Sequence, residues 1–355
     1  MIKRRNTKTV TVGSVKIGSR YPVSIQSMVK TAPVDVSATV KEIKALEKEG
    51  CEIVRVAVKS MDDARALGRI KAKIDIPLVA DIHFNWRLAL EALARGVDCL
   101  RLNPGNIYGD GEVGQIARAA KKRRVPIRVG VNAGSLRNIK RRMQNTKLEN
   151  LMVSCAIDYI RMLEDFNFYN IIVSLKASDV NTTVNAYRRL AGLCRYPFHL
   201  GITASGLPRE GTVKSAIGIG TLLLEGIGDT IRVSLTGSAL EEVAVAKEIL
   251  QALKLRHFNL DIIACPGCGR AEIDVVKIAG ELEQKVRNVR FNLKLTRPMK
   301  VAIMGCEVNG PGEALDADIG IAGGKECAAL FKNGRIIKRI KDSQIVDVIL
   351  SSIRS

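Results

Sequence analysis

Aromatic residues are scarce: they make up 4% of 355 residues, with one Trp. A stacking surface for single-stranded nucleic acid needs several exposed rings, so that function is poorly supplied. No helix-turn-helix, zinc-finger or RNA-recognition pattern occurs. No apolar run approaches the roughly 18 residues of a transmembrane helix. The start, MIKRRNTKTV, is basic but leads into polar residues, not an apolar signal stretch, so a cytoplasmic protein is expected. Eight cysteines are too few for a disulfide scaffold. Cys51, Cys99, Cys155 and Cys194 stand singly beside apolar segments and read as buried small hydrophobes.

What the chain has in excess is positive charge. The net charge of +20 implies an anionic partner: nucleic acid, membrane surface, phosphorylated substrate or acidic protein. The runs KKRR (121–124) and KRRM (140–143) read as solvated faces rather than sites.

Residues 1–20 read as a β-hairpin turning at Gly13-Ser14. Eight apolar strand candidates follow: 22–28, 51–58, 77–83, 99–104, 126–133, 170–178, 198–204 and 230–237. Helical patterns alternate with them, such as 36–50 and 85–96, and Gly50, Gly96 and Gly226 sit where a left-handed C-cap is wanted. The pattern predicts a (β/α)₈ TIM-type barrel over residues 1–255, with a doubly wound sheet as the alternative. No G-x-G-x-x-G follows the first strand, which weakens a dinucleotide-binding version. Residues 134–153 read as a long loop with a short helix.

In such a barrel the active site lies at the C-terminal strand ends. Those ends carry Gln26, Ser27, Arg55, Asp81, His83, Arg101, Asn103, Arg128, Asn132, Lys176, Thr203, Arg232 and Ser234. Arginine in an apolar strand is costly unless an anion pairs with it. Asp81 is the one obvious acidic companion for Arg55, Arg101, Arg128, Arg232 and Lys176. The arrangement reads as a funnel for a di- or polyphosphate, whose oxygens suit the guanidinium fork. Glu225, at a helix end before the eighth strand, reads from position alone as an exposed helix-end glutamate, with general acid–base work at the barrel mouth as the other possibility.

Residues 256–355 read as a small α/β domain: strand 259–264, helix 271–286, strand 300–304, strands near 318–322 and 335–340, and a last helix at 343–353. It holds ACPGCGR, with Cys265 and Cys268, and MGCEVNGPGEA, with Cys306 and Glu313. Structural zinc wants four Cys/His ligands, and no histidine follows His257. A redox dithiol leaves Cys306 unexplained. Three thiolates and an oxygen ligand suit a [4Fe–4S] cluster with one exchangeable iron position. Spacing and loop character favour Glu313 over Cys327, which sits in GGKECAALF, a helix-like apolar stretch. The two domains together imply electron transfer into a phosphorylated small molecule with loss of an oxygen.

The chain resembles the 4-hydroxy-3-methylbut-2-enyl-diphosphate synthase family, iron–sulfur enzymes of the methylerythritol phosphate pathway. The resemblance runs through PVSIQSM, EIVRVAV, LVADIHF, LRLNPGN, IRVGVNAGSL, VSLKAS, HLGIT, LLLEGIGDTIRVSLT, ACPGCGR and MGCEVNGPGEA. It implies reductive ring opening of 2-C-methyl-D-erythritol 2,4-cyclodiphosphate, with loss of water and uptake of two electrons. It implies a cluster held by Cys265, Cys268, Cys306 and Glu313, the glutamate giving way to substrate. It places the diphosphate on Arg55, Arg101, Arg128, Lys176, Arg232 and Ser234, with Asp81, His83, Asn103, Asn132 and Asn309 as further pocket residues. It makes Glu225 the acid–base carboxylate. It also implies a homodimer, one chain's cluster domain over the other's barrel, with ferredoxin or flavodoxin as electron donor.

Two stretches depart from the family pattern. VKTAPVDV (29–36) stands where a Thr/Asn/Asp-rich run is usual, and Ala204-Ser205-Gly206 where Glu-Ala-Gly is usual. Two readings of other classes compete: a zinc-dependent barrel enzyme, and a basic nucleic-acid-binding protein with a structural metal.

Overall fold

The computed structural model describes residues 2–136, 146–258, 260–289, 299–308 and 310–354. The chain divides into two compact units, Met1–Arg256 and His257–Ser355.

The first unit opens with the hairpin β1 (Val10–Val12) and β2 (Val15–Ile17), paired Val12↔Val15 across Gly13. Gly13 has φ +56, the left-handed conformation glycine adopts freely. Eight parallel strands follow: β3 (Ser24–Met28), β4 (Ile53–Val58), β5 (Leu78–Ile82), β6 (Cys99–Leu102), β7 (Ile127–Asn132), β8 (Ile171–Lys176), β9 (His199–Leu200) and β10 (Thr230–Ile231). Their order is β8-β7-β6-β5-β4-β3-β10-β9, and an isolated parallel bridge, Val173↔Phe198, joins the last gap. The (β/α)₈ barrel is therefore present, although β9 and β10 are shorter than their apolar runs suggest.

Helices α1 (Val36–Glu49), α2 (Met61–Lys71), α3 (Trp86–Ala94), α4 (Asp110–Arg123), α5 (Leu148–Asp165), α6 (Val180–Ala191), α7 (Pro208–Leu224) and α8 (Ala239–Ala252) alternate with the strands. Local chemistry sets their ends. Asp35 caps α1 by accepting from Ala38 N, and Gly50 ends it at φ +106. Ser60 and Asp63 form a capping box on α2. The long loop expected over 134–153 is shorter on its far side, because α5 begins at Leu148; KRRM lies outside the described residues. The KKRR run is an exposed helix end, as expected.

The barrel interior is layered. Ile53, Val79, Cys99 and Ile172 form a floor, and Val10, Val12 and Ile17 of the hairpin pack against it from below. Each of these aliphatic side chains is almost fully buried, which stabilises by about 1.5–3 kcal/mol apiece. Strand side chains alternate, so residues two further on face the same interior. There the layer turns polar: Arg55, Asp81, Arg101 and Ser174.

In the second unit β11 (Asp261–Ala264), β12 (Lys300–Met304), β13 (Ile319–Ala322), β14 (Ala328–Lys332) and β15 (Arg335–Ile340) form one sheet in that order. Helices α9 (Val275–Val289), α10 (Gly310–Ala314) and α11 (Ile345–Arg354) complete it. Strand β14 corrects the helical reading of GGKECAALF. Five apolar residues are too few for periodicity to separate strand from helix, and pairing with β13 decides.

Candidate functional site

Register brings the polar residues of the barrel together. Asp81 pairs with Arg101, and Arg101 with Arg128, across β5, β6 and β7. Asp81 Oδ1 accepts from Arg101 Nη1 at 3.1 Å, and its Oδ2 lies 3.7 Å from Arg55 Nε. Arg101 also donates from Nη2 to the Gly130 carbonyl at 2.8 Å. Arg55 lies against Met28, with Nη2 2.9 Å from the sulfur. Arg128 donates from Nη1 to Gln26 Oε1, while its Nε and Nη2 are buried without a partner. Lys176 Nζ and Arg232 Nε are also buried and unpartnered.

Electrostatics follow from this crowding. Burial and then the neighbouring arginines push the Lys176 ammonium well below its ordinary value. Burial drives Arg128 down to about 10. Asp81 is held below the usual carboxylate range: burial opposes ionisation, and Arg55, Arg101 and Arg128 together outweigh it.

Two residues of this interior escaped the sequence reading. Glu242 of α8 is buried, accepts from Leu235 N at 3.0 Å, and lies 3.6 Å from Arg232 Nη2. Its signal was an acidic residue in the first turn after the eighth strand. His199 is fully buried, with both ring nitrogens unpartnered, and burial followed by Lys176 and three arginines pushes its pKa well down. Its signal was a titratable residue inside an apolar strand. Even with Glu242 counted, Asp81 and Glu242 are the only carboxylates within ion-pair distance of Arg55, Arg101, Arg128, Lys176 or Arg232 among the described residues.

Other predicted positions serve the strand-end loops. Asn103 is buried, and its Oδ1 accepts from Gly105 N at 3.1 Å. The Asn132 carbonyl accepts from Ser135 Oγ at 2.7 Å. The Ser234 carbonyl accepts from Ser205 Oγ, so the departing Ala-Ser-Gly loop is tied to a predicted phosphate residue. His83 is half-buried at the end of β5, with Nδ1 unpartnered. Asn309 lies outside the described residues.

Glu225 is a correction. It caps the C-terminal end of α7, the end that leads into the start of β10, and so belongs to the face of the barrel opposite the strands' C-terminal ends. It pairs with Arg188 of α6 at 2.6 Å on the surface. Side-chain hydrogen bonding from Arg188 holds its carboxyl below the usual range, which suits an ion pair and not a proton donor.

In the second unit the cysteine loops follow adjacent parallel strands, with Ala264 opposite Ile303. Gly305 N donates to Cys265 Sγ at 3.2 Å, and Glu272 N to the Gly305 carbonyl at 2.7 Å. Cys268 is exposed, and hydrogen bonds from the backbone and side chain of Arg270 shift its thiol toward thiolate. Cys306 is half-buried, and Glu313 is exposed on α10. The thiols share one end of the sheet but are not drawn into one ligand set: among the described residues no three Cys, His, Asp or Glu side chains are grouped to hold a metal ion. In chemistry the donors fit an iron–sulfur group, three soft thiols on strand-ending loops with one already biased toward thiolate.

The GcpE TIM-barrel domain model matches residues 7–247, and the GcpE protein C-terminal domain model matches 261–355. The chain belongs to the GcpE family. Curated GcpE relatives include one from Thermodesulfovibrio yellowstonii, 51% identical over 354 residues and 100% of both chains. Another, from Clostridium perfringens, is 47% identical over 354 residues, again 100% of both. One from Fusobacterium nucleatum is 49% identical over 97% of this chain and 95% of its own. All three are named 4-hydroxy-3-methylbut-2-en-1-yl diphosphate synthase (flavodoxin). Among solved structures, a dihydropteroate synthase from Stenotrophomonas maltophilia matches with TM-score 0.52 at 14% identity, over 70% of this chain and 98% of its own. That likeness concerns the fold alone.

Proposed function

We propose that this chain is the iron–sulfur oxidoreductase its relatives are named for: a 4-hydroxy-3-methylbut-2-en-1-yl diphosphate synthase that opens 2-C-methyl-D-erythritol 2,4-cyclodiphosphate with two electrons and loss of water. The observation that carries the reading is the set of buried cations with unpartnered donors, which calls for a multiply charged anion.

Arg55, Arg101, Arg128, Lys176, Arg232 and Ser234 hold the diphosphate. Asp81 fixes the facing sides of Arg55 and Arg101, so their remaining N–H groups are aimed before substrate arrives. The apolar floor keeps water from the phosphate end and strengthens these contacts. Asn103, Asn132 and His83 shape the rim, and Asn309, three residues after Cys306 in the sequence, is a further pocket residue. Cys265, Cys268, Cys306 and Glu313 are the residues that would hold a [4Fe–4S] cluster. When bound, such a group supplies single electrons and an iron that accepts an oxygen ligand. In this reading Glu225, exposed and paired with Arg188, carries no acid–base role. Flavodoxin fits as donor, with ferredoxin the other candidate, and the chain works as a cytoplasmic homodimer.

The test is protein purified without oxygen. About four irons per chain, a thiolate–iron absorption band, and turnover of the cyclodiphosphate with reduced flavodoxin are expected. Zinc in place of iron would sink the reading in favour of a zinc-dependent barrel. Steeply salt-dependent binding to random oligonucleotides without turnover would favour the nucleic-acid reading.

A further inference from the structure

Two barrel strands carry glycine where the interior is most crowded. A Cβ at Gly130 of β7 would fall on Arg101 Nε, inside contact distance, and lie 3.1 Å from Cζ and Nη2. A Cβ at Gly201, just after β9, would lie 2.6 Å from Lys176 Nζ and 2.5 Å from the Arg232 carbonyl. Neither glycine has the positive φ that would make glycine necessary for the backbone alone. What they supply is room, and at Gly130 the three nearest atoms all belong to the side chain of Arg101.

Arg101 uses that room. Its guanidinium occupies the space a Gly130 side chain would take, with Nη1 bonded to Asp81 Oδ1 at 3.1 Å and Nη2 to the Gly130 carbonyl at 2.8 Å. It is 6% exposed, so it has nowhere equivalent to go. A Cβ at Gly130 would force the guanidinium to shift, and a buried guanidinium that shifts loses the geometry of these bonds.

We propose that Gly130 is a positioning residue for the anion site: its missing side chain lets Arg101 lie across β7 in the one orientation that serves a bound diphosphate. The inference rests on the reading of Arg101 as an anion ligand. Gly201 stands in the same relation to Lys176, but there a Cβ also meets backbone, so Gly130 gives the cleaner test.

The experiment compares wild type, Gly130→Ala, Arg101→Met and the double variant, with inorganic pyrophosphate binding by calorimetry as the readout and cyclodiphosphate KM and kcat beside it. Gly130→Ala is expected to weaken pyrophosphate about tenfold or more, and to raise KM more than it lowers kcat. In the Arg101→Met background the same change is expected to cost nothing further, because residues acting through one contact are not additive. If Gly130→Ala does not fold but the double variant does, the collision with Arg101 is demonstrated directly. Wild-type affinity in Gly130→Ala, the same tenfold loss in both backgrounds, or a double variant that also fails to fold overturns the proposal. Unchanged binding in Arg101→Met removes the anion-ligand reading instead, and the positioning proposal falls with it.

Discussion

Arg101 and Arg128 are register partners on adjacent parallel strands, two arginines side by side in a barrel interior. Like charges so placed repel, and burial removes the water that would screen them. Empty, the barrel therefore carries strain that a bound anion relieves. Saturating pyrophosphate is expected to raise the melting temperature, by the linkage that stabilises any state the ligand prefers. Arg128→Met should leave the anion-free protein as stable as wild type or more so, while lowering pyrophosphate affinity at least about tenfold. Scanning calorimetry with and without pyrophosphate measures both; a large loss of anion-free stability would contradict the account.

Lys176 gives a pH dependence with a definite sign. Burial, then Arg232, Arg55, Arg128 and Arg101, depress its pKa from 10.5. Between the folded value and 10.5 the unfolded chain binds more protons than the folded one, so the stability of the empty protein rises with pH there. Affinity for an anion runs the other way, because the ammonium is lost as pH rises through the folded value. The ratio of pyrophosphate dissociation constants for Lys176→Met and wild type should fall toward one at alkaline pH. A ratio that stays flat shows that this charge does not titrate.

Glu225→Gln separates the surface pair from the chemistry. An exposed ion pair contributes little. Turnover should stay within about twofold of wild type, and so should cyclodiphosphate KM. A loss of kcat by a hundredfold or more, the usual size of general acid–base catalysis, would restore Glu225 to the site.

Cys306→Ser tests the second unit. Iron and sulfide content and the thiolate–iron absorption band should both be lost in protein made without oxygen, while pyrophosphate binding by the barrel should be unchanged. Retention of a wild-type spectrum would remove Cys306 from the ligand set.

Ile17→Ala tests the hairpin. Truncating a buried isoleucine costs about 2–5 kcal/mol. A melting temperature lower by several degrees is expected, with cyclodiphosphate KM changed much less, because Ile17 sits below the polar layer.

The barrel was legible because eight apolar strands alternate with helical patterns, and the anion site because arginine in an apolar strand has few explanations. Arg101 and Arg128 were readable for that reason. Their mutual register was not, since strand pairing is set by the closed sheet. Glu225 was legible from position alone as an exposed helix-end glutamate; the resemblance moved it to the site, although its helix end leads into the start of β10 and not away from its end. Glu242 was missed because its burial depends on α8 folding back over Arg232. GGKECAALF was misread because a short apolar run takes its conformation from the sheet it joins. The departing Ala204-Ser205-Gly206 loop revealed only in three dimensions that Ser205 is fastened to the Ser234 carbonyl.

With the hairpin packed beneath Ile53, Val79, Cys99 and Ile172, the barrel is covered at that end and takes the form of a cup. A cup with charge at its depth and none at its floor imposes a direction on whatever enters. A molecule with phosphates on one side and carbon chemistry on the other goes in phosphates first, leaving its reactive carbons toward the opening. Exchange of water, protons and product then shares that single route, so traffic through the mouth and chemistry at the mouth must alternate in time.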